Sequence, residues 1–506
     1  MQITSKSDKA IVYRSTLLHY LVVMCIAGAL YVLTCAPTTL WQDSGIFIYR
    51  IWNNNIEGNL GLALSHPLYI MLGQIAKFIP FGELAYKINL ISAISAAVAV
   101  ANLFLLIKFL TGKNLPALIG AFSLAVSWTF WSHAVIAETY CLFAAQMLAE
   151  LILLLQYTKT KKLKYLYLLG LFNGLTIANH MLGVIGLACY GIFLIILLTK
   201  KQITIRNFLT FILMWIIGAL PYEYLIIKNF VLTGDILGTL SSAAFGILWK
   251  KDVLQTSISK KIILENIIFI LYSFPTPNFI LFFVGLWVML KTKTDKSFTS
   301  IVIAMLALYF LFAFRYTVPD RYAFFIPFYC LAAFAIGTGA DVILKKYGNK
   351  LFYLLVLFVL IAIPVYYVTP DIAKKYYKAL AQRRQRPYRD EYQYFLHPWK
   401  QNDRGAERFA REVLHAVEEN AVIYAYGTDV TTILYVQEIQ GIRPDVRVVS
   451  EYYMGKNAPV FTEDTIDRLM ESSSVYVVSP VPGYCPQFLL EQYKFKQIGV
   501  LWKVIN

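Results

Sequence analysis

From position 1 to 368 the chain alternates long apolar blocks with short polar turns, and the blocks are too continuous to be one face of a surface helix or strand. They fall at 17–36, 84–110, 115–132, 134–156, 165–179, 181–199, 207–227, 264–290, 298–314, 321–340 and 351–368. A helix of about 20 apolar residues crosses ~30 Å of hydrocarbon, so the pattern predicts a polytopic α-helical membrane protein with about 11 spans. The first block, Leu17 to Ala36, has that length and lacks a clear small-residue cleavage site, which predicts a retained signal anchor. Beyond 368 the pattern changes. Residues 369–400 read as a juxtamembrane linker, and 401–506 as a small soluble domain in which an amphipathic helix (Arg404 to Glu419) precedes strands at Ala421 to Tyr426, Val446 to Ser450 and Val475 to Ser479. Helices open at Gly427-Thr-Asp429 and at Thr462, and this alternation predicts an α/β domain with a largely parallel sheet. It contains neither a P-loop nor GxGxxG, so it reads as a structural or acceptor-binding appendage to a transmembrane domain spanning 1–368.

Composition agrees. A chain of 506 residues that is 58% hydrophobic and 15% charged, with mean hydropathy +0.58, has too few polar side chains to cover a soluble globule. The net charge of +16 sits largely in short clusters between apolar blocks, a membrane-topology signal and not a nucleic-acid footprint. Six cysteines without CxxC or regular spacing imply neither a disulfide framework nor a metal site. With the N-terminus (Lys6, Lys9, Arg14) cytoplasmic, the clusters Lys159/Lys161/Lys162/Lys164, Lys200/Lys201/Arg206, Lys291/Lys293/Lys296 and Lys345/Lys346/Lys350 share that side, and an odd number of spans leaves the C-terminal domain extracytoplasmic. Two features pull against this map. Pro275-Thr-Pro277 breaks the 264–290 block, which reads as an interfacial helix and a short span or as two segments that reverse the parity. The basic run Lys374, Lys375, Lys378, Arg383, Arg384, Arg386 and Arg389 falls on the outer side, as a solvated linker or a contact for anionic headgroups.

Ionisable residues stand at the ends of the apolar blocks: Asp43, His66, Glu138, His180, Asp320 and Arg321. A charge near hydrocarbon costs roughly 2.5 kcal/mol or more unless it faces a polar cavity, so these residues suggest one shared site. Helix capping alone could account for Asp43-Ser44 and His66-Pro67. Glu138, Asn179-His180 and the run from Arg315 to Asp320-Arg321 occupy connectors on the same side, however, and a structural ion pair needs two such groups, not six. A carboxylate beside an acceptor hydroxyl can remove its proton as attack begins, and an arginine fork can neutralise a phosphate leaving group. A polyprenyl-phosphate sugar pairs a phosphate with a reactive carbon at headgroup level, so sugar transfer is one coherent reading. A transporter or flippase for a lipid-linked or polar substrate is the alternative; it predicts internal repeats and charges near mid-span, whereas no repeat is obvious and the charges cluster on one side.

Asp43-Ser-Gly45, His66-Pro67-Leu-Tyr69, Lys87-Ile-Asn89-Leu-Ile-Ser92-Ala, Ala121-Phe-Ser through Phe130-Trp131-Ser132 to Ala137-Glu138-Thr-Tyr140, and Asn179-His180 follow one another in an order and spacing that resemble the transmembrane protein 260-like family of protein O-mannosyltransferases, within the GT-C superfamily of membrane glycosyltransferases. Tyr435-Val-Gln-Glu-Ile-Gln-Gly-Ile-Arg443-Pro-Asp445-Val-Arg447-Val-Val resembles a segment of the soluble domain of bacterial members. The chain departs from the family at His66-Pro67-Leu-Tyr, where members often have His-Pro-Pro-Gly, and at Thr139, where Val is commoner.

The resemblance implies a GT-C-like helical core in a bacterial inner or plasma membrane, with a lumenal or periplasmic site. It implies a polyprenyl-phosphate sugar donor, mannose first among sugars, and a protein or glycan acceptor, with Ser/Thr hydroxyls foremost. Asp43 matches the acidic residue of the first outer loop and is the expected catalytic base. His66, Glu138, Asn179 and His180 are expected to position acceptor or sugar, Arg321 with Arg315 to hold the lipid phosphate, and Asp320 to orient Arg321 or cap the following span. No cofactor is expected. Two carboxylates and two histidines could hold a divalent cation, but no metal-ligand spacing lies within a single helix.

Overall fold

The computed structural model describes residues 6–247, 249–292, 295–318, 320–378, 380–381, 385–427, 429–451, 453, 455 and 458–506; Lys293, Arg383 and Arg384 of the basic runs lie outside these residues. Its first part comprises α1 (Lys6–Leu33), α2 (Asp43–Trp52), α3 (Pro67–Ala76), α4 (Leu84–Thr111), α5 (Asn114–Ala125), α6 (Trp128–Ala134), α7 (Tyr140–Thr160), α8 (Leu163–Asn179), α9 (Gly183–Thr199) and α10 (Ile205–Thr233). It continues through α11 (Ile236–Phe245), α12 (Lys250–Leu254), α13 (Lys260–Ser273), α14 (Ile280–Lys291), α15 (Lys296–Arg315), α16 (Ile326–Tyr347) and α17 (Leu351–Tyr376).

Every predicted apolar block is helical. Among the described residues seven helices are long and apolar enough to cross a membrane, while α5–α6 and α13–α14 are pairs bent by 68° and 108°. Pro275 and Pro277 flank the second bend, because a ring that fixes φ and removes an N–H ends one helix and opens the next. The 264–290 block is therefore two pieces, and α13 turns Leu264, Ile268 and Leu271 outward. Tyr224, Ile227, Val231 and Leu232 of α10 are likewise exposed, as expected of a face that meets lipid. Helices α8 and α10 touch backbone to backbone: a Cβ on Gly174 would come within 2.7 Å of Ala219 N, the small-residue packing that joins helices where lipid is as apolar as leucine.

Helix α17 runs past the expected boundary at 368, through Pro370 to Tyr376. The C-terminal part holds α18 (Glu391–Leu396), α19 (Gly405–His415), α20 (Val430–Leu434, continued by π-helical Tyr435–Ile439), α21 (Glu463–Ser472) and α22 (Gln487–Gln492) around strands β1 (Val422–Tyr424), β2 (Arg447–Val449), β3 (Val475–Val477), β4 (Lys494–Ile498) and β5 (Leu501–Ile505). Strand order is β2-β1-β3-β5-β4; the first three are parallel, as expected, whereas β5 runs antiparallel to β3 and β4. This terminal hairpin escapes the sequence pattern because β4 is largely exposed and alternates weakly, with Gly499 at φ +58° making the turn.

The C-terminal domain packs closely on the helical domain. Phe47, Ile48, Tyr49 and Ile51 of α2 share one hydrophobic core with Phe409, Val430, Ile433, Leu434 and Val436. A Cβ on Gly45 would lie 2.8 Å from Thr431 Oγ1, so glycine permits the approach of α20 to α2. Tyr49 donates to Glu438 Oε1 (3.2 Å), and Lys400 N donates to Thr34 O (2.9 Å). Trp41 lies against Phe409 and under the guanidinium groups of Arg386 and Arg389; Arg386 also pairs with Asp429 at 2.9 Å. These two arginines are thus internal fasteners, not a solvated linker or a headgroup contact, because a guanidinium can stack on an aromatic face while its edge meets a carboxylate.

Candidate functional site

Four connectors and α2 are tied together at the end of the helical domain that carries the C-terminal domain. Asn89 and Ser92, a turn apart on α4, do much of this. Asn89 Nδ2 donates to Ala36 O (2.9 Å) and Thr38 O (3.2 Å), fixing the approach to α2. Ser92 Oγ bonds both the backbone N and O of Glu138 at 3.0 Å and meets Tyr69 Oη at 3.2 Å. Asn179 Nδ2 donates to Thr139 O (3.2 Å), and Asn179 O lies 2.8 Å from His66 Nδ1. The Lys87–Ala93 and Asn179-His180 motifs therefore hold the site's walls in register. Glu150, buried in α7, supports them from below: it bonds Thr176 and Asn173, and Asn173 reaches Gly183 O at 3.2 Å, bracing the turn after His180. Two residues beside this framework, Gln42 (φ +66°) and His66 (φ +48°), are non-glycines in a sparsely populated backbone region, strain of about 1–3 kcal/mol each that typically accompanies function.

The connectors enclose a cavity of about 600 Å³. Asp43, Glu138 and Asp320 bring three carboxyls to it, His66 and His180 bring imidazoles, and Arg50 a guanidinium; Met181, Val184, Ile185, Phe245, Trp249 and Phe312 form an apolar wall. Asp43 is the first residue of α2 and not its N-cap, which is Gln42, and His66, the N-cap of α3, makes no side-chain capping bond. Asp43 opens onto the cavity yet has protein on every side, and this enclosure, together with the charge of Asp320, pushes its carboxyl up to about 7. Burial also raises Asp320, and burial with the charges of Asp43 and Asp320 raises Glu138 well above the usual range. Burial lowers His66 to about 4, and burial with the neighbouring His66 holds His180 well below its usual value, so both rings are neutral near pH 7. The rings lie 4.9 Å apart. In His66, Nδ1 faces the Asn179 carbonyl and must donate, leaving Nε2 an acceptor; in His180, Nδ1 accepts from Leu182 N (3.1 Å), leaving Nε2–H a donor. Among the described residues no group of three or more His, Cys, Asp or Glu side chains is arranged to ligate a metal.

Five of the eight candidate residues, Asp43, His66, Glu138, His180 and Asp320, line this cavity. Asn179 stands behind His66. Neither Arg315 nor Arg321 is part of the lining: Arg321 pairs with Glu265, donates to Asn266 Oδ1 (3.3 Å) and covers the Phe269 ring, while Arg315 donates to the carbonyls of Val253 (2.6 Å) and Gln255 (2.9 Å). The reason is α13, which brings Glu265 to Arg321 as a counter-charge. The guanidinium that reaches the cavity is Arg50, seven residues after Asp43 and so on the same face of α2. It is 3% exposed and donates to the carbonyls of Asn55, Ile56, Leu64 and Ser65 at 2.6–3.2 Å, with no carboxylate partner among the described residues. Its one sequence signal is a lone arginine within the otherwise apolar Ile46–Trp52 stretch.

Comparison with known proteins agrees with this architecture. A family model described as "Protein O-mannosyl-transferase TMEM260 N-terminal domain" matches residues 62–205, and one described as "TMEM260-associated domain 2" matches 406–482. The protein O-mannosyl-transferase TMEM260 of Mus musculus is 26% identical over 215 residues, 41% of this chain and 30% of the mouse protein. The chain thus matches under a third of that relative's length. The resemblance seen in the motifs is borne out over 62–205 and 406–482, while Asp43-Ser-Gly45 lies ahead of the first of these matches. The fold is that of ArnT from Cupriavidus metallidurans: the structure bound to undecaprenyl phosphate aligns with TM-score 0.64 and 10% identity over 96% of this chain and 97% of that one. The apo structure aligns with TM-score 0.61 and 9% identity over 97% and 98%. A GT-C-like helical core with a small C-terminal sheet domain is therefore the fold of this chain.

Proposed function

We propose that this chain, which carries matches to both TMEM260 domain models, is a membrane glycosyltransferase that moves a sugar, mannose foremost, from a polyprenyl-phosphate donor to a Ser or Thr hydroxyl of a protein. The observation that carries the reading is one cavity joining the Asp43 carboxyl, a buried guanidinium without a carboxylate partner among the described residues and an apolar wall. A buried cation calls for a counter-charge, and a phosphate supplies one. In this reading Arg50, in place of the expected Arg315 and Arg321, holds the donor phosphate, and the polyprenyl chain lies along Met181, Ile185, Phe245 and Phe312. The acceptor oxygen attacks the anomeric carbon from the face opposite the phosphate; the carbon–oxygen bond to phosphate breaks, its electron pair leaves with the polyprenyl phosphate, and the hydroxyl proton passes to Asp43. The neutral imidazoles offer one acceptor (His66 Nε2) and one donor (His180 Nε2–H) to sugar hydroxyls.

The donor class draws support from the fold's likeness to a protein solved with undecaprenyl phosphate, and the acceptor class from the mouse relative's name. The basic clusters at the far ends of the helices support a cytoplasmic N-terminus and a site facing outward from a bacterial inner or plasma membrane. The test is transfer of radiolabelled mannose from a defined polyprenyl-phosphate mannose to membrane proteins, with purified wild type beside Asp43→Asn. Incorporation by wild type and a loss of about 10²–10⁴-fold in the variant are expected. No label from mannose or from a panel of other lipid-linked sugars would overturn the proposal, and equal label from both proteins would remove Asp43 from the role of base.

A further inference from the structure

Gln42, beside Asp43 in the lining of the large cavity, has no part in the transfer described above. Its backbone sits at φ +66° and ψ −148°, a region that glycine alone occupies without strain. Both flanks of the turn are pinned. Trp41 packs on Phe409 beneath the guanidinium groups of Arg386 and Arg389. On the other side Gly45 packs against Thr431 and donates its N–H to Gln42 O (3.1 Å). A glycine at 42 would make this turn more easily, yet the chain carries a glutamine. That side chain is half-buried, its carboxamide has no hydrogen-bond partner among the described residues, and both of its polar atoms stay open to solvent.

We propose that Gln42 is an acceptor-positioning residue: its carboxamide hydrogen-bonds the peptide group of the Ser or Thr whose hydroxyl meets Asp43. The inference rests on the protein-acceptor reading above and adds the group that tells a peptide hydroxyl from any other. Helix α2 sets the order of the substrates. Arg50, assigned to the phosphate, lies seven residues beyond Asp43, about 10 Å along the axis at 1.5 Å per residue. The sugar occupies the space between them, served by His66 and His180. Gln42 precedes Asp43, on the side away from the phosphate, where in-line attack places the acceptor.

The chemistry of the side chain suits the task. Adjacent Cα atoms are about 3.8 Å apart, so Gln42 and Asp43 can engage one acceptor residue, the carboxyl its hydroxyl and the carboxamide its backbone. A carboxamide matches a peptide group because each carries an N–H donor and a C=O acceptor. It is also uncharged, so neither Arg50 nor the ionisation of the three carboxyls alters what it offers. The strain at 42 then has a purpose: it keeps a polar side chain at a place where glycine would leave none.

The test uses the full chain in lipid nanodiscs with polyprenyl-phosphate mannose and acceptor peptides of one sequence with a single serine. Beside the parent peptide stand one whose serine nitrogen is methylated and one in which the peptide bond after serine is an ester. Each change removes or weakens a backbone partner and keeps the hydroxyl. In wild type, KM should rise about three- to tenfold for at least one modified peptide, the worth of one hydrogen bond. In Gln42→Ala and Gln42→Gly the parent peptide should lose this advantage, in KM more than in kcat, and the peptides should become indistinguishable. Gln42→Gly should also melt at or above the wild-type temperature, since relief of strain offsets the freedom that glycine adds to the unfolded chain. A lower melting temperature would overturn the account of the strain. Peptides that wild type does not tell apart, or that Gln42→Gly tells apart as wild type does, would overturn the role of Gln42 and leave the transferase standing. Transfer to oligosaccharides and to no peptide would overturn the protein-acceptor reading and this inference with it.

Discussion

At the scale of single residues the site is governed by three carboxyls, each held above its usual range chiefly by burial. As the proposed base Asp43 must be deprotonated to act, and it is held near 7, so transfer should rise with pH across roughly 6 to 8 and level off above. Enclosure is the larger cause of this shift and the charge of Asp320 the second. Asp320→Asn should therefore move the rising limb to lower pH, visible in single-turnover transfer measured from pH 5 to 9; an unmoved limb would separate the two groups. Stability runs the other way. A carboxyl whose folded value lies above its unfolded one favours the fold at low pH and loses that contribution as pH rises through the folded value. Asp43→Asn should thus melt at or above the wild-type temperature at pH 8, so that a loss of transfer in this variant would be chemical and not a failure to fold. Asp43, His66, Glu138 and His180 were legible in the sequence because polar groups at the ends of apolar blocks are conspicuous. Arg50 was not, since its meaning depends on which carbonyls surround it and on a helix face that only the fold defines. Arg321 reads in the sequence as a phosphate holder for the converse reason: its partner Glu265 lies 56 residues away, on the first helix of a bent pair.

At the scale of elements, α2 is held from both sides. Asn89 on α4 satisfies two carbonyls in the approach to it, and Asn89→Leu leaves both buried and unpaired, a cost of about 1–3 kcal/mol for each. A lower melting temperature and reduced transfer should appear together. On the other side Gly45 lets Thr431 approach, and Gly45→Val should force α2 and α20 apart; limited proteolysis should then release the C-terminal domain faster than from wild type. The apolar blocks themselves were plain, because hydrocarbon-spanning helices need no partner to be recognised. The bend of α13–α14, the hairpin of β4 and β5 and the reach of α17 to Tyr376 were obscure, each being decided by packing between distant segments.

At the scale of the whole molecule the helical domain and the sheet domain form one functional body, since α2 belongs as much to the core of the second as to that of the first. A chain ending at residue 400 should insert in membranes, expose Phe47, Ile48 and Tyr49, and show no transfer even with Asp43 in place; size-exclusion in detergent and the label assay check both outcomes. Co-expression with a separate 401–506 fragment should restore at most part of the activity, because the strap pinned by Lys400 at Thr34 is then cut. The shared core also carries a consequence for synthesis. Helix α2 lies within the first 52 residues, yet the residues that bury its outer face lie between 409 and 436, so the ribosome must add more than three hundred residues before that helix gains its lasting neighbours. An unfinished chain, whatever its length short of that point, holds Asp43 on a helix without its wall, so the proposed transfer cannot begin until residues 409–436 have been made.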